Sequence, residues 1–119
     1  MTNLSMYRGD SQTWNLSFVD SNSSAINITG YTVFFTIKNK NTFYNDSDDT
    51  TALVQKNVTS HTVATSGLSE LTLSPNDTSS ISPGTYIYDM QLKDATGNII
   101  TLIRGDFLID ADVTRRTTV

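Results

Sequence analysis

The last third of the chain contains the stretch Pro83-Gly84-Thr85-Tyr86-Ile87-Tyr88-Asp89-Met90-Gln91-Leu92-Lys93, followed by Asp94-Ala95-Thr96-Gly97-Asn98 and a second run from Ile99 to Ile109. Apolar and polar residues alternate along the first run, which is the period of a half-buried β-strand. The intervening segment has the composition of a hairpin turn, in which Gly97 supplies a positive φ. The stretch therefore predicts two long antiparallel strands joined by a tight turn.

Shorter alternating runs extend this pattern through the rest of the chain. Ser74 and Pro75 have the residue types that open a single helical turn. The remaining predicted strands cover residues 13–18, 25–29, 31–38, 52–58, 61–65 and 68–73. Strands at this spacing predict an all-β fold, an antiparallel immunoglobulin-like β-sandwich of about 7–8 strands. We expect residues 1–110 to form the sandwich domain and residues 111–119 to form a short C-terminal tail.

Composition excludes several classes of function. The 119 residues include no Cys and one His, so a zinc–thiolate site, a disulfide scaffold and a His-cluster metal site are excluded. A net charge of −4 leaves no basic footprint for nucleic acid or an anionic membrane. The N-terminus has no basic segment followed by an apolar one, so no signal peptide is predicted. We predict a protein that is not an enzyme and that uses no cofactor and no metal.

Five residues are assigned structural roles. Tyr86 lies two residues before an inward position and follows Gly84, which is typical of the tyrosine corner of immunoglobulin-like sandwiches. Trp14 shares a strand face with Leu16 and Phe18 and is predicted to be a core residue. The other two are glycines, for which we expect a turn at Gly97 and a bulge at Gly105.

The doubly apolar strands indicate an interface. A small sandwich needs one apolar face per sheet, yet the strands at 31–38 and 99–109 carry apolar residues on both. We expect the second face to be covered by another subunit, or alternatively by the loop at residues 39–51. In the first case the interface would use Phe34, Ile100, Leu102 and Leu108. Two adjacent cations in the tail, Arg115 and Arg116, suit docking on the acidic surface of a neighbouring copy.

Four further patterns have simpler explanations. Arg-Gly-Asp occurs at residues 8–10 and 104–106, but neither copy lies in an obvious loop, so adhesion through it is not expected. The single His61 has no visible partner for a catalytic triad. Tyr7, Phe43 and Tyr44 are the aromatic residues available for stacking on a sugar. Calcium binding is left open for Asp46, Asp48 and Asp49 and for Asp106, Asp110 and Asp112, because solvated acidic loops have the same composition.

Several motifs, taken in order, resemble a known family. They are Met6-Tyr7-Arg8-Gly9-Asp10 with Trp14, Ile28-Thr29-Gly30-Tyr31, Leu73-Ser74-Pro75-Asn76-Asp77, Pro83-Gly84-Thr85-Tyr86, Tyr88–Asp94, Gly97-Asn98, Gly105-Asp106-Phe107 and Asp112-Val113-Thr114-Arg115. From Tyr7 to Arg115 the chain is similar to the N-terminal domain of the tailed-phage baseplate upper protein family. The resemblance implies an immunoglobulin-like virion module whose partners are other virion proteins.

The resemblance and the composition together give the functional hypothesis. We expect a non-enzymatic structural protein of a tailed phage, assembled in the bacterial cytoplasm and placed on the tail or baseplate in symmetric copies. Because the sequence ends just after the domain, a stand-alone bridging module is expected. The alternatives are a capsid decoration, cement or head-fibre anchoring protein, a carbohydrate-binding module for host-surface attachment, and a soluble bacterial adaptor.

Overall fold

The described part of the chain, residues 3–45 and 49–114 of a computed structural model, is built almost entirely from β-strands. A single helical turn, α1 (Pro75–Thr78), and 3₁₀ turns at Phe43–Asn45 and Ala64–Ser66 lie between them. The strands are β1 (Leu4–Tyr7), β2 (Gln12–Ser17), β3 (Thr32–Lys38), β4 (Val54–Val58), β5 (Leu68–Leu73), β6 (Gly84–Lys93) and β7 (Ile99–Asp110). The prediction of an all-β fold is confirmed.

The strands form two sheets of unequal size. The larger sheet has the order β1-β7-β6-β3-β4, and the smaller sheet pairs β2 with β5. All pairs are antiparallel except β1 with β7, which run parallel, with Leu4 opposite Phe107 and Tyr7 opposite Asp110. The expectation of a fully antiparallel sandwich is therefore wrong at this edge. β1 is only four residues long, and its alternation is too short to be recognised in the sequence.

The core lies between the two sheets and is centred on aromatic rings. Phe35 of β3, Tyr88 of β6 and Phe107 of β7 are almost fully buried on the inner face of the larger sheet. Trp14 of β2 meets them from the smaller sheet, 5.9 Å from Phe107 and 6.5 Å from Phe35 between ring centroids. Edge-to-face and tilted pairs at these distances are favourable beyond the area that they bury. Trp14 is partly buried and packs against the buried core.

The β6–β7 hairpin has the turn that the sequence predicts but a different bulge. Asp94 N–H donates to the carbonyl of Asn98 at 2.9 Å, and Gly97 has φ +97°. The register shifts by one residue between Met90 and Gln91, which leaves Leu102 unpaired in β7. Gly105 pairs in regular register with Tyr88, so the predicted bulge at Gly105 is wrong.

Two predicted strands are instead irregular segments. At residues 25–29 only Ala25 forms a bridge, and the Asn27 side chain accepts hydrogen bonds from the N–H and hydroxyl of Thr29. Such local bonds compete with strand pairing. At residues 61–65 only Val63 forms a bridge, after which the chain turns through the 3₁₀ segment to Gly67. In both places side-chain and turn chemistry outweighs the local alternation.

The helical turn α1 is closed by its own residues, as predicted from Ser74 and Pro75. Asp77 Oδ2 accepts the Ser74 N–H at 2.7 Å, and Lys56 lies 2.9 Å from Oδ1. Burial by itself raises the pKa of Asp77, but the Ser74 hydrogen bonds and the Lys56 ammonium outweigh it and leave the pKa below its ordinary value. The charged carboxylate therefore ties α1 to β4.

We expect Asp77 to contribute to acid sensitivity. A depressed folded-state pKa gives stability that is present above the unfolded value of 3.8 and is lost as the pH falls through the folded value. Asp77→Asn should lower the free energy of unfolding at neutral pH by about 1 kcal/mol and should flatten its decline below pH ~4. Urea titrations at several pH values measure this, with the exposed Asp10→Asn as control. An unchanged slope in Asp77→Asn would contradict the role.

Candidate assembly interface

The outer face of the larger sheet carries Phe34 and Leu108, but the two lie far apart. Phe34 is opposite Gln91, whereas Leu108 is opposite Thr85, six residues away along β6. Six residues of strand span about 20 Å. Phe34 is half-buried and Leu108 is 40% exposed. These two residues therefore do not form one contiguous apolar patch.

The other two predicted interface residues lie on the opposite side of the sheet. Ile100 pairs with the buried Leu92, so it points to the inner face, and Leu102 lines the opening between the sheets. Strict alternation predicts that Ile100 and Leu102 share a sheet face with Leu108. The bulge adds one residue to β7, which reverses the sheet face of the residues that precede it in the strand. Their assignment to the outer face is wrong, whereas their part in an interface stays a prediction.

The middle of the outer face is covered by the loop after β3. Lys40 forms an ion pair with Asp106 at 2.9 Å, and the Arg104 guanidinium lies 5.6 Å from the Phe43 ring centroid. This cation–π contact places an aromatic ring over the sheet. The contacts agree with the alternative that residues 39–51 cover this face, although residues 46–48 lie outside the described part.

A polar cleft of about 340 Å³ lies beneath this loop. Its walls include Asp49, which is 2.6 Å from the Lys38 ammonium, and Asp89 in the middle of β6. Burial, with the negative charge of Asp49, raises the pKa of Asp89. Lys38 and Arg104 oppose that shift, so the cleft holds charges of both signs that largely balance one another.

An apolar groove of about 410 Å³ opens along the side of the sandwich formed by β2 and by the part of β7 that β1 does not cover. β1 pairs only with Phe107–Asp110, so the edge of β7 at Ile99–Leu102 is not covered by another strand of the described chain. The described residues that line the groove carry no charge. They are Leu4, Trp14, Asn15, Leu16, Ser17, Phe18, Val19, Tyr88, Met90, Leu102 and Ile103.

Three of the residues that were assigned structural roles, Tyr86, Gly84 and Gly105, lie in β6 and β7. The Tyr86 hydroxyl donates to the carbonyl of Ser82 four residues upstream, which is the bond of a tyrosine corner. A Cβ on Gly84 would lie 3.9 Å from the Tyr86 ring, which is an ordinary van der Waals distance, so the packing of the ring does not itself require glycine at this position. Gly105 is buried opposite Tyr88.

Neither Arg-Gly-Asp triplet is displayed on a free loop tip. Arg8 is held by Asp112 at 2.8 Å, and the Gly9 N–H donates to the buried Thr78 hydroxyl at 2.8 Å. The second triplet lies inside β7, where Gly105 is buried. Adhesion through these triplets has no geometric support.

The acidic residues near the end of β7 serve separate structural contacts. Asp106 pairs with Lys40, Asp112 pairs with Arg8, and the Asp110 carbonyl accepts the Arg8 N–H at 2.8 Å. Among the described residues no three metal-ligating side chains lie together. The candidates Asp46 and Asp48 lie outside the described residues, as do Arg115 and Arg116.

His61 forms a structural link that its position in the sequence does not indicate. One ring nitrogen lies 2.8 Å from the Ser69 hydroxyl of β5, and the other lies 2.8 Å from the Tyr31 carbonyl before β3. Since Ser69 is 2% exposed, its hydroxyl cannot reach a substrate. The Ser–His pair therefore joins the two sheets and is not a catalytic dyad.

The predicted aromatic platform for a sugar is divided. Phe43 and Tyr44 contact each other at 5.6 Å between centroids, and Tyr44 is 70% exposed. Tyr7 lies opposite Asp110, six residues along β7 from the Arg104 that Phe43 covers. That separation is about 20 Å, so the three rings do not form one stacking surface.

The two sheets, the β1 edge and the Tyr86 corner define a small β-sandwich module. The chain is similar in structure to the N-terminal domain of phage TP901-1 ORF48, with a TM-score of 0.50 and 16% sequence identity over 92% of this chain and 84% of that chain. No family model matches the sequence, and no curated protein matches it. At this identity the similarity concerns the fold. In the described residues no helix is long and apolar enough to cross a membrane.

Proposed function

We propose that this chain is a non-enzymatic structural protein of a tailed phage virion, which assembles on the tail or baseplate through protein–protein contacts. The observation that carries the proposal is the fold shared with a domain of a phage protein over 92% of the chain. The resemblance of its motifs to the baseplate upper protein family supports the same location. Its partners are other virion proteins, and its localisation is the virion.

The site geometry supports binding rather than catalysis. Both ring nitrogens of His61 are engaged, and the charges in the cleft beneath the loop are largely balanced by one another. The exposed apolar residues are concentrated along β7, where Ile99 is 56% exposed and Ile100 is 61% exposed. Exposed apolar patches on soluble proteins mark interaction sites.

Immunogold electron microscopy of purified particles tests the location. We expect gold at the tail tip when an antibody to this protein is used, with particles of a deletion mutant as control. Gold over the capsid would make the tail location wrong and would support a decoration or cement role. Particles without gold, when denatured particles show the epitope to be accessible, would overturn the virion role.

The tail arginines give a second test. Since surface ion pairs contribute about 0.2–1 kcal/mol each, replacing Arg115 and Arg116 by alanine should lower occupancy on particles by about fivefold. The thermal midpoint of the purified domain should not change. Quantitative immunoblotting of purified particles measures occupancy, with Lys93→Ala as the control for loss of an exposed cation. Normal occupancy of the double variant would remove these arginines from the interface.

A further inference from the structure

One segment of β7 combines exposed apolar side chains with an uncovered strand edge. β1 pairs with Phe107–Asp110, and the Asn3 side chain accepts the Asp106 N–H at 3.1 Å, where the parallel pairing ends. In residues 3–45 and 49–114 no strand lies beside Ile99–Thr101 on this side. An edge without Pro, Lys or other charge is a template for pairing with another chain.

The hydrogen-bond phase of the hairpin identifies which backbone groups face outward. Asp94 and Asn98 form a hydrogen-bonded pair, because the Asp94 N–H donates to the Asn98 carbonyl. Hydrogen-bonded pairs recur every second residue in an antiparallel ladder, so the next such pair between β6 and β7 is Leu92 with Ile100. Backbone groups alternate in direction along a strand, so the N–H and C=O of Ile99 and Thr101 point away from β6. Two donors and two acceptors are thereby presented on the open edge.

The length of this edge limits what can bind it. Leu102 is the bulge residue, and a bulge interrupts regular pairing. The regular open segment is therefore the three residues Ile99–Thr101, bounded by the hairpin turn on one side and the bulge on the other. A long foreign strand would meet the bulge, whereas a short segment can pair with its own copy about a twofold axis.

We propose that a second copy of this chain occupies the edge by antiparallel pairing of Ile99–Thr101 about a twofold axis at Ile100. In this register Ile99 of each copy exchanges two hydrogen bonds with the partner's Thr101, giving four in all. The two Ile100 side chains meet on the inner face, beside Leu102 and the apolar groove. The inference rests on the proposed function for its biological setting and names a second copy as one partner of the module.

The distribution of charge permits self-pairing at this edge, although the chain carries a net charge of −4. The paired segment and the described lining of the groove have no charged side chain, so no like charges meet.

Sedimentation equilibrium of the 119-residue protein, from micromolar to millimolar concentration, tests the proposal. We expect a reversible monomer–dimer equilibrium. Thr101→Pro removes an N–H that the monomer does not use and should weaken the dimer at least about tenfold. Leu102→Lys should do the same, and Leu108→Lys is its matched control because the two leucines are 41% and 40% exposed.

The outcomes are distinct from those for virion assembly. A wild-type protein that stays monomeric overturns the proposal, as does equal weakening by Leu108→Lys and Leu102→Lys. Circular dichroism shows whether each variant is folded. Should Thr101→Pro unfold, concentration-dependent protection of the Thr101 amide from hydrogen exchange in the wild type replaces it, and its absence overturns the proposal. A protein that is monomeric in solution but is still detected by immunogold on particles would leave the proposed function intact.

Discussion

Gly67→Ala is expected to lower the free energy of unfolding by about 4 kcal/mol, from backbone strain of about 1–3 kcal/mol and overpacking of similar size. Gly67 has φ +70° at the end of the 3₁₀ turn. A Cβ there would lie 2.6 Å from the Phe18 carbonyl oxygen and 2.7 Å from that of Ile26. Both obstacles are backbone atoms, so no side-chain rotation relieves them.

The position of Gly67 explains why the effect extends beyond one turn. Its carbonyl accepts the Phe18 N–H at 2.9 Å, and the Phe18 carbonyl accepts the Ile26 N–H at 3.0 Å. Displacing Gly67 therefore disturbs the end of β2, the start of β5 and the segment that follows Val19. These are the two strands of the smaller sheet and the chain that leads to β3.

Gly97→Ala is the matched control for this substitution. Gly97 also has a positive φ, but a Cβ there meets no atom within 4 Å. The control should lose only the conformational part, about 1–2 kcal/mol. Urea unfolding followed by circular dichroism compares the two variants. Equal losses would show that crowding at Gly67 has no energetic effect.

The β6–β7 hairpin shows what local sequence signals can establish. Its strands are long, and its turn has residues whose conformational preferences act over four or five positions. Both strands and the positive φ of Gly97 could therefore be predicted. The helical turn at Ser74 and Pro75 is a second case, since its capping groups lie three residues apart.

Features that depend on distant residues could not be predicted in the same way. β1 is four residues long and exists because β7 pairs with it from about 100 positions away. His61 has a role only because Ser69 and Tyr31 come to it from different strands. Gly67 has an ordinary turn composition in the sequence, and only the folded chain places the Phe18 and Ile26 carbonyls against it.

The sequence predicts which residues of the candidate interface are exposed but not which side of the sheet they face. The excess of apolar residues in β7 is a property of composition, and it correctly identifies Ile100 and Leu102 as exposed. Which side they face depends on the bulge, and no glycine or proline marks it at Leu102. One unpaired residue thus places Ile100 on the inner side of the sheet, beside the part of the β7 edge that β1 leaves open, which changes the kind of contact that we propose.

Phe107→Ala is expected to cost about 4 kcal/mol, within the range of about 3–5 kcal/mol for buried aromatic truncations. Phe107 is fully buried, and its ring meets those of Trp14, Phe35 and Tyr88 at 5.9, 6.0 and 6.1 Å. It lies in β7 between β1 and β6, so its side chain also fixes the spacing of three strands against β2. Small domains are stable by only about 5–15 kcal/mol, so this loss is a large share of the whole.

Two variants separate this effect from a general loss of apolar area. Phe107→Leu keeps most of the volume and should cost about 1.5 kcal/mol, because a branched aliphatic side chain fills part of the ring's space. Phe34→Ala removes the same atoms from the half-buried outer face and should cost about 1 kcal/mol. Urea unfolding of all three at one pH gives the order Phe107→Ala, Phe107→Leu, Phe34→Ala. A Phe34→Ala loss as large as that of Phe107→Ala would mean that the outer face contributes as much to stability as the aromatic core.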